Sequence, residues 1–217
     1  MKKLITIILF FLISSTVSMA QDTAYKKAMK KEIGKLLQAD SISALQESAN
    51  AFNRIANMNT KEWLPLYYEA LAYTYQGLSR PLSLDQKDVL LAQAEELIHK
   101  ADVLSPENAE IITLKGFILM GKLSADPANR GQSLSGTIMA TYGKAIVLNN
   151  KNPRALGLMA QMEFGMAQFF GNGTDKACGL AKQSMLLFES QDEEKLKDEM
   201  LPTWGKGMTE QLMKQCK

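Results

Sequence analysis

Few side chains in this sequence could carry out chemistry, and they do not form a known catalytic arrangement. His99 is the only histidine, which excludes a multi-histidine metal site and a histidine acid/base pair. It lies within an apolar helical pattern, where a partly exposed structural histidine is a simpler interpretation than a general base. The sequence also lacks a serine nucleophile elbow, a glycine-rich phosphate loop and an HExxH motif. We therefore predict no catalytic residue, no enzymatic activity and no cofactor.

Methionine is the other candidate ligand. Met159, Met162 and Met166 recur at the spacing of one helical face. Thioether sulfurs can bind Cu(I) in an exported protein, but methionine is also a pliable filler of hydrophobic cores. Because Met159 falls on an expected core position, the sequence favours packing, and we predict no metal site.

The first twenty residues have the pattern of an export signal. Two lysines precede an apolar run over residues 4–13, and small residues follow at 18–20. This order is typical of a secretory signal peptide, and the run is too short for a bilayer, which needs about 20 apolar residues. We predict cleavage after Ala20, no transmembrane anchor in the mature chain, and a location in the periplasm or outside the cell.

The charge balance bears on possible partners. Without residues 1–20, the 25 basic residues fall to 23, which equals the number of acidic residues, so the net charge is 0. Binding to nucleic acid requires a basic surface that displaces counterions from phosphates. We therefore expect no nucleic-acid partner.

Cys178 and Cys216 are the only cysteines. In the oxidising environment expected for an exported protein, a disulfide between them is plausible. We favour this bridge over the alternative of two free thiols.

Apolar residues recur with helical spacing almost everywhere after residue 24, and alternating strand patterns are absent. Pro65, Ala109 and Pro153 mark a 44-residue interval that occurs twice. We predict one all-α domain over 21–217. Its parts are a degenerate hairpin over 24–62, repeats at 65–108, 109–152 and 153–190, and a cap at 191–217, with Trp204 covering the third repeat.

The first repeat carries a recognisable set of residues. Tyr68, Leu71, Ala72 and Tyr75 occupy its first helix, and Ala94, Ile98 and Ala101 its second, before Pro106. This resembles the tetratricopeptide repeat, although that repeat has a period of about 34 residues. The armadillo/HEAT group, with about 40–47 residues per unit, is the alternative, and the last unit also resembles the Sel1-type repeat. The chain resembles small exported tetratricopeptide-repeat proteins of Gram-negative bacteria, which implies an α-α superhelix, or solenoid, with a capping helix.

The resemblance also implies where a ligand would bind. In such repeats the inner face of the first helices is the usual binding surface. Here it would carry Glu69, Tyr73, Gln76, Thr113, Phe117, Met120, Arg154, Gln161 and Phe164. The connecting loops would form a second surface with Arg80, Asp126, Arg130, Phe170 and Asn172. Alternatively, the chain's own loops or N-terminal hairpin fill the groove, and the connecting loops pack on one another.

These features lead to a functional expectation. We expect a non-catalytic repeat module that binds a protein or peptide, acting as a scaffold or adaptor outside the cytoplasm. The alternative is a carrier of a small molecule or metal, with the Met159 face or the loop at Phe169 and Phe170 lining its site.

Overall fold

The structure is a computed structural model, and it describes residues 23–216. The predicted signal peptide, with its cleavage site after Ala20, lies outside the described residues. Within the described range the chain is all-α, which confirms the predicted fold class, and no strand occurs there. Helix α1 covers residues 23–38. The helices that follow are α2 (Ile42–Met58), α3 (Trp63–Gly77), α4 (Leu84–Leu104), α5 (Ala109–Ala125), α6 (Pro127–Leu148), α7 (Pro153–Phe170), α8 (Asp175–Glu189), α9 (Glu193–Asp198) and α10 (Lys206–Met213).

Local sequence explains where several helices begin. Ser83 and Gln86 form a reciprocal capping box at the start of α4. Asp126 and Asn152 cap α6 and α7, and each is followed by a proline at the first helical position. Proline suits that position because its missing N–H would have no partner inside the helix.

Consecutive helices pack as antiparallel neighbours in a chain of hairpins. Helix α3 packs on α4, α5 on α6 and α7 on α8, and each hairpin also contacts the next. The first helices of the three hairpins, α3, α5 and α7, touch one another as well. Small residues permit the close contacts, since a Cβ atom at Gly116 would collide with the ring of Tyr142 and one at Gly77 with Leu91.

The C-terminal region closes the array. Helix α10 packs on α7 and α8, and its Leu212 joins a buried cluster with Ala160, Ala177 and Ala181. The predicted disulfide between Cys178 and Cys216 is confirmed, with the two Cα atoms 5.6 Å apart. It ties α8 to the end of the chain.

Candidate ligand-binding clefts

The inner face formed by α3, α5 and α7 is occupied by the protein itself. Residues 200–205, which we call the C-terminal strap, lie across this face. The Trp204 indole stacks on Phe117 with ring centroids 5.4 Å apart, and its Nε1–H donates to the Tyr67 hydroxyl at 2.9 Å. The Tyr68 hydroxyl donates to the carbonyl of Met200 at 2.9 Å. The expectation that Trp204 covers the third repeat is therefore wrong, because its ring and hydrogen-bond partners belong to α3 and α5.

Burial keeps these tyrosine hydroxyls in the protonated form. It raises the pKa of both Tyr67 and Tyr68 well above the usual value near 10. Each phenol therefore remains neutral at physiological pH. Tyr68 can then serve as a hydrogen-bond donor to the strap, and Tyr67 can accept from the indole.

The strap changes the environment of the residues predicted to line the groove. Six of the nine side chains are buried: Glu69, Gln76, Thr113, Phe117, Arg154 and Phe164. Tyr73, Met120 and Gln161 are half-buried. The nine side chains do not form one open surface, because neighbouring helices, α10 and the strap cover most of them. A contact between the three half-buried side chains and a ligand stays a prediction.

Arg154 was predicted to contact a ligand, but in the structure it forms an ion pair within the protein. Its guanidinium makes two hydrogen bonds to the Glu110 carboxylate, at 2.9 and 2.6 Å, and its side chain is only 2% exposed. Burial alone would lower the pKa of Arg154, but the carboxylate outweighs it and the pKa is raised. Asn152 also donates to Glu110. This cluster joins α5 to α7.

The predicted loop edge is divided between structural and exposed residues. Arg130 was expected in a connecting loop, but it lies within α6, because Asp126 alone separates α5 from α6. Arg130 forms a two-pronged ion pair with Asp88 of α4, with both distances 2.6 Å, and Asp126 caps α6. Arg80 and Asn172 are exposed. Phe170 is also exposed and makes an edge-to-face contact with Phe169, with centroids 5.1 Å apart. The carrier alternative expected these two residues in a loop, but they are the last two residues of α7.

The methionine face has a structural role as well. Met162 is buried in the main core, and Met159 and Met166 pack against the same core from its edge. Their thioethers therefore fill space between helices, as the sequence favoured.

Two clefts lie on either side of α1, and their lining contains none of the site residues predicted from the sequence. The first, which we call the α1 cleft, lies between α1, α9 and the strap and encloses about 290 Å³. Its lining residues are Lys30, Ile33, Gly34, Leu37, Lys197, Asp198, Met200, Leu201 and Thr203. Its walls are mainly apolar, whereas Lys30, Lys197 and Asp198 are exposed.

The second cleft, the α1–α2 groove, is wider and more open, with about 420 Å³. It is lined by Ala28, Glu32, Ala51, Arg54, Ile55, Asn57 and Met58. No signal in the sequence distinguishes the first cleft. Gly34 is a glycine inside a helix, but so are Gly136 and Gly143 of α6, which line neither cleft.

The fold and clefts together define an all-helical hairpin protein with apolar recesses open to solvent, which is the kind of site that holds small molecules. No protein-family model matches the chain, and no curated protein matches it. Among solved structures, the chain is similar to the HusA haemophore from Porphyromonas gingivalis. The TM-score is 0.77 and the sequence identity is 27%, over 91% of this chain and 94% of that chain.

This likeness corrects the expected function. The neighbour is a haemophore, a haem-carrying protein, so the prediction of a repeat module that binds a protein or peptide is wrong. The likeness favours the alternative of a small-molecule carrier. The assignment to tetratricopeptide repeats has no matching family model behind it; the statement that stands is an all-helical array of hairpins.

Two further observations concern location. The disulfide is consistent with an oxidising compartment, where such bonds persist. Among residues 23–216, no helix combines the length and apolarity needed to cross a bilayer.

Proposed function

We propose that this protein is a non-catalytic carrier of a small, planar, apolar molecule of the haem type, acting in the periplasm or outside the cell. The observation that carries the proposal is the likeness to a haemophore over almost the full length of both chains. The disulfide supports an extracytoplasmic location. The apolar clefts beside α1 supply recesses in which such a molecule could lie.

The size of the clefts suits a carrier that must release its cargo. Sites that enclose drug-sized ligands have volumes of roughly 300–1,000 Å³, and the α1 cleft, at about 290 Å³, is just below this range. A macrocycle in this cleft would keep one edge in solvent. That edge would be accessible to the next protein that accepts the cargo.

A titration tests the proposal directly. The chain without residues 1–20 is titrated with haemin while the Soret absorbance of the porphyrin and the tryptophan fluorescence are recorded. Trp63 is half-buried and Trp204 is buried, so both report on the environment of the fold. We expect saturable binding with a stoichiometry of one haemin per chain.

A thermal melt provides an independent readout. A ligand that binds only the folded state at about 100 times its dissociation constant stabilises the protein by about 2.7 kcal/mol. Haemin should therefore raise the melting temperature, whereas a non-planar apolar compound at the same concentration should not. Linear, unsaturable uptake of haemin together with an unchanged melting temperature would contradict the carrier function.

A further inference from the structure

We infer that the α1 cleft is the binding site for the cargo, and that Lys30 and Lys197 bind carboxylates at its edge. The ligand class is then a planar apolar dicarboxylate, such as a tetrapyrrole with two propionate groups. This inference rests on the proposed carrier function and adds a location and a recognition chemistry to it.

The shape of the cleft is the first argument. Lys30, Ile33, Gly34 and Leu37 recur at the i, i+3, i+4, i+7 spacing of one helical face. A Cβ atom at Gly34 would meet no heavy atom within 4 Å, so the helix backbone is exposed to the cleft at this point. The opposite wall is formed by the strap, with Met200 and Leu201. A recess between a bare helix surface and an apolar segment offers walls against which a planar ring can stack.

The charges are the second argument. Lys30 pairs with Asp198 at 2.7 Å and Lys197 pairs with Glu193 at 3.2 Å. All four side chains are exposed, by 42% for Lys30 and by more than half for the other three, and exposed ion pairs of this kind are weak. Both lysines can therefore exchange their present partners for carboxylates of a ligand. Because Lys30 and Lys197 both line this one cleft, they would meet two carboxylates of a macrocycle bound there.

The other candidate surfaces fit this ligand class less well. The lining of the α1–α2 groove has one acid, Glu32, and one base, Arg54, and so no net charge, whereas the α1 cleft has two lysines and one aspartate. The exposed Phe169 and Phe170 rings pack edge to face on each other, with an interplanar angle of 87°, and so do not present one flat surface. These two surfaces are the alternative locations in the test.

The first experiment blocks the cleft with a substitution that favours the fold. Leucine has a higher helix propensity than glycine, so Gly34→Leu should retain its helical circular dichroism while its side chain enters the cleft. We expect haemin binding to weaken about tenfold or more, because the leucine side chain would occupy space that the ligand needs. The matched control is Gly136→Leu in α6, which is also helical and exposed with no heavy atom within 4 Å of its Cβ position; its affinity should equal that of the wild type.

The second experiment tests the charges. Lys30→Glu combined with Lys197→Glu should weaken haemin binding about tenfold, since each 1.4 kcal/mol is a factor of ten. The same double substitution should leave the affinity for haemin dimethyl ester unchanged, because the ester carries no carboxylates. Asp198→Asn should tighten haemin binding by removing the carboxylate that competes for Lys30. Equal effects on haemin and its ester would overturn the role of the lysines.

The outcomes separate this inference from the proposed function. If the wild type does not bind haemin, the carrier function fails. If the wild type binds but Gly34→Leu binds equally well, the carrier function stands and the assignment to the α1 cleft is overturned. Loss of binding on replacing Phe169 and Phe170 with serine, with Gly34→Leu still active, would place the site at the end of α7.

Discussion

Glu69 makes the stability of this protein depend on pH in an unusual direction. Its carboxylate lies on α3 and is only 3% exposed. Asn53 of α2 donates to both carboxylate oxygens, at 3.1 and 3.4 Å. Burial raises the pKa of Glu69 from 4.5 to about 7, and the hydrogen bond from Asn53 and the charge of Lys100 offset only part of this effect.

The raised pKa fixes the sign and the size of the effect. In the unfolded chain the carboxyl ionises near pH 4.5, whereas the folded protein retains its proton up to about pH 7. Between these values the folded state binds more protons than the unfolded state, so the free energy of unfolding falls as pH rises. The difference between the two pKa values corresponds to about 3 kcal/mol, which is fully lost above about pH 7.

The perturbation is Glu69→Gln, which removes the charge and keeps a side-chain oxygen that accepts from Asn53. We expect this variant to be more stable than the wild type by about 2–3 kcal/mol near pH 8, and by less than ~1 kcal/mol near pH 5. Urea unfolding followed by circular dichroism, with the disulfide intact, measures both values. The control is Glu47→Gln on the exposed side of α2, for which the change should stay within ~0.5 kcal/mol. An equal effect of Glu69→Gln at both pH values would refute the reasoning.

Three further changes test the packing. Trp204→Ala removes an indole that is 4% exposed and should destabilise by ~3–5 kcal/mol in urea unfolding; a change below ~1 kcal/mol would mean that the strap does not hold the inner face. Ala72→Leu introduces a larger side chain where exposure is 0%, and should lower stability by ~1–3 kcal/mol, whereas an unchanged melting curve would contradict the packing of α3. Cys178 and Cys216 close a loop with a sequence separation of 38, so their replacement by serine should cost up to ~4 kcal/mol. The unreduced, unfolded wild type should contain no reactive thiol, and finding two would exclude the bridge.

Local patterns in the sequence were sufficient for the helices and their pairing. The apolar spacing around Tyr68, Leu71 and Tyr75 depends only on neighbours within the same helix. The disulfide followed from cysteine number and the expected compartment. Helical spacing depends on residues that are close in the sequence, and the number of cysteines is part of the composition. Both can therefore be evaluated without coordinates.

The filled inner face could not be predicted in the same way. Trp204 is 137 positions from Tyr67 in the sequence, and nothing in its local pattern distinguishes the first repeat from the third. The α1 cleft is equally non-local, since Lys30 and Asp198 are 168 positions apart. The inner-face residues were chosen by helical phase, which shows the side of a helix they occupy but not what covers that side.

The contacts of α1 with α9, and of α3 with the strap, have a consequence for how the molecule unfolds. In open repeat arrays each unit touches only its neighbours, so stability is nearly a sum of local terms and the ends can fray independently. Here the pairs Lys30–Asp198, Tyr67–Trp204 and Tyr68–Met200 link the beginning of the array to its end. Loss of either end therefore exposes surface at the other, and the chain should unfold in one cooperative transition.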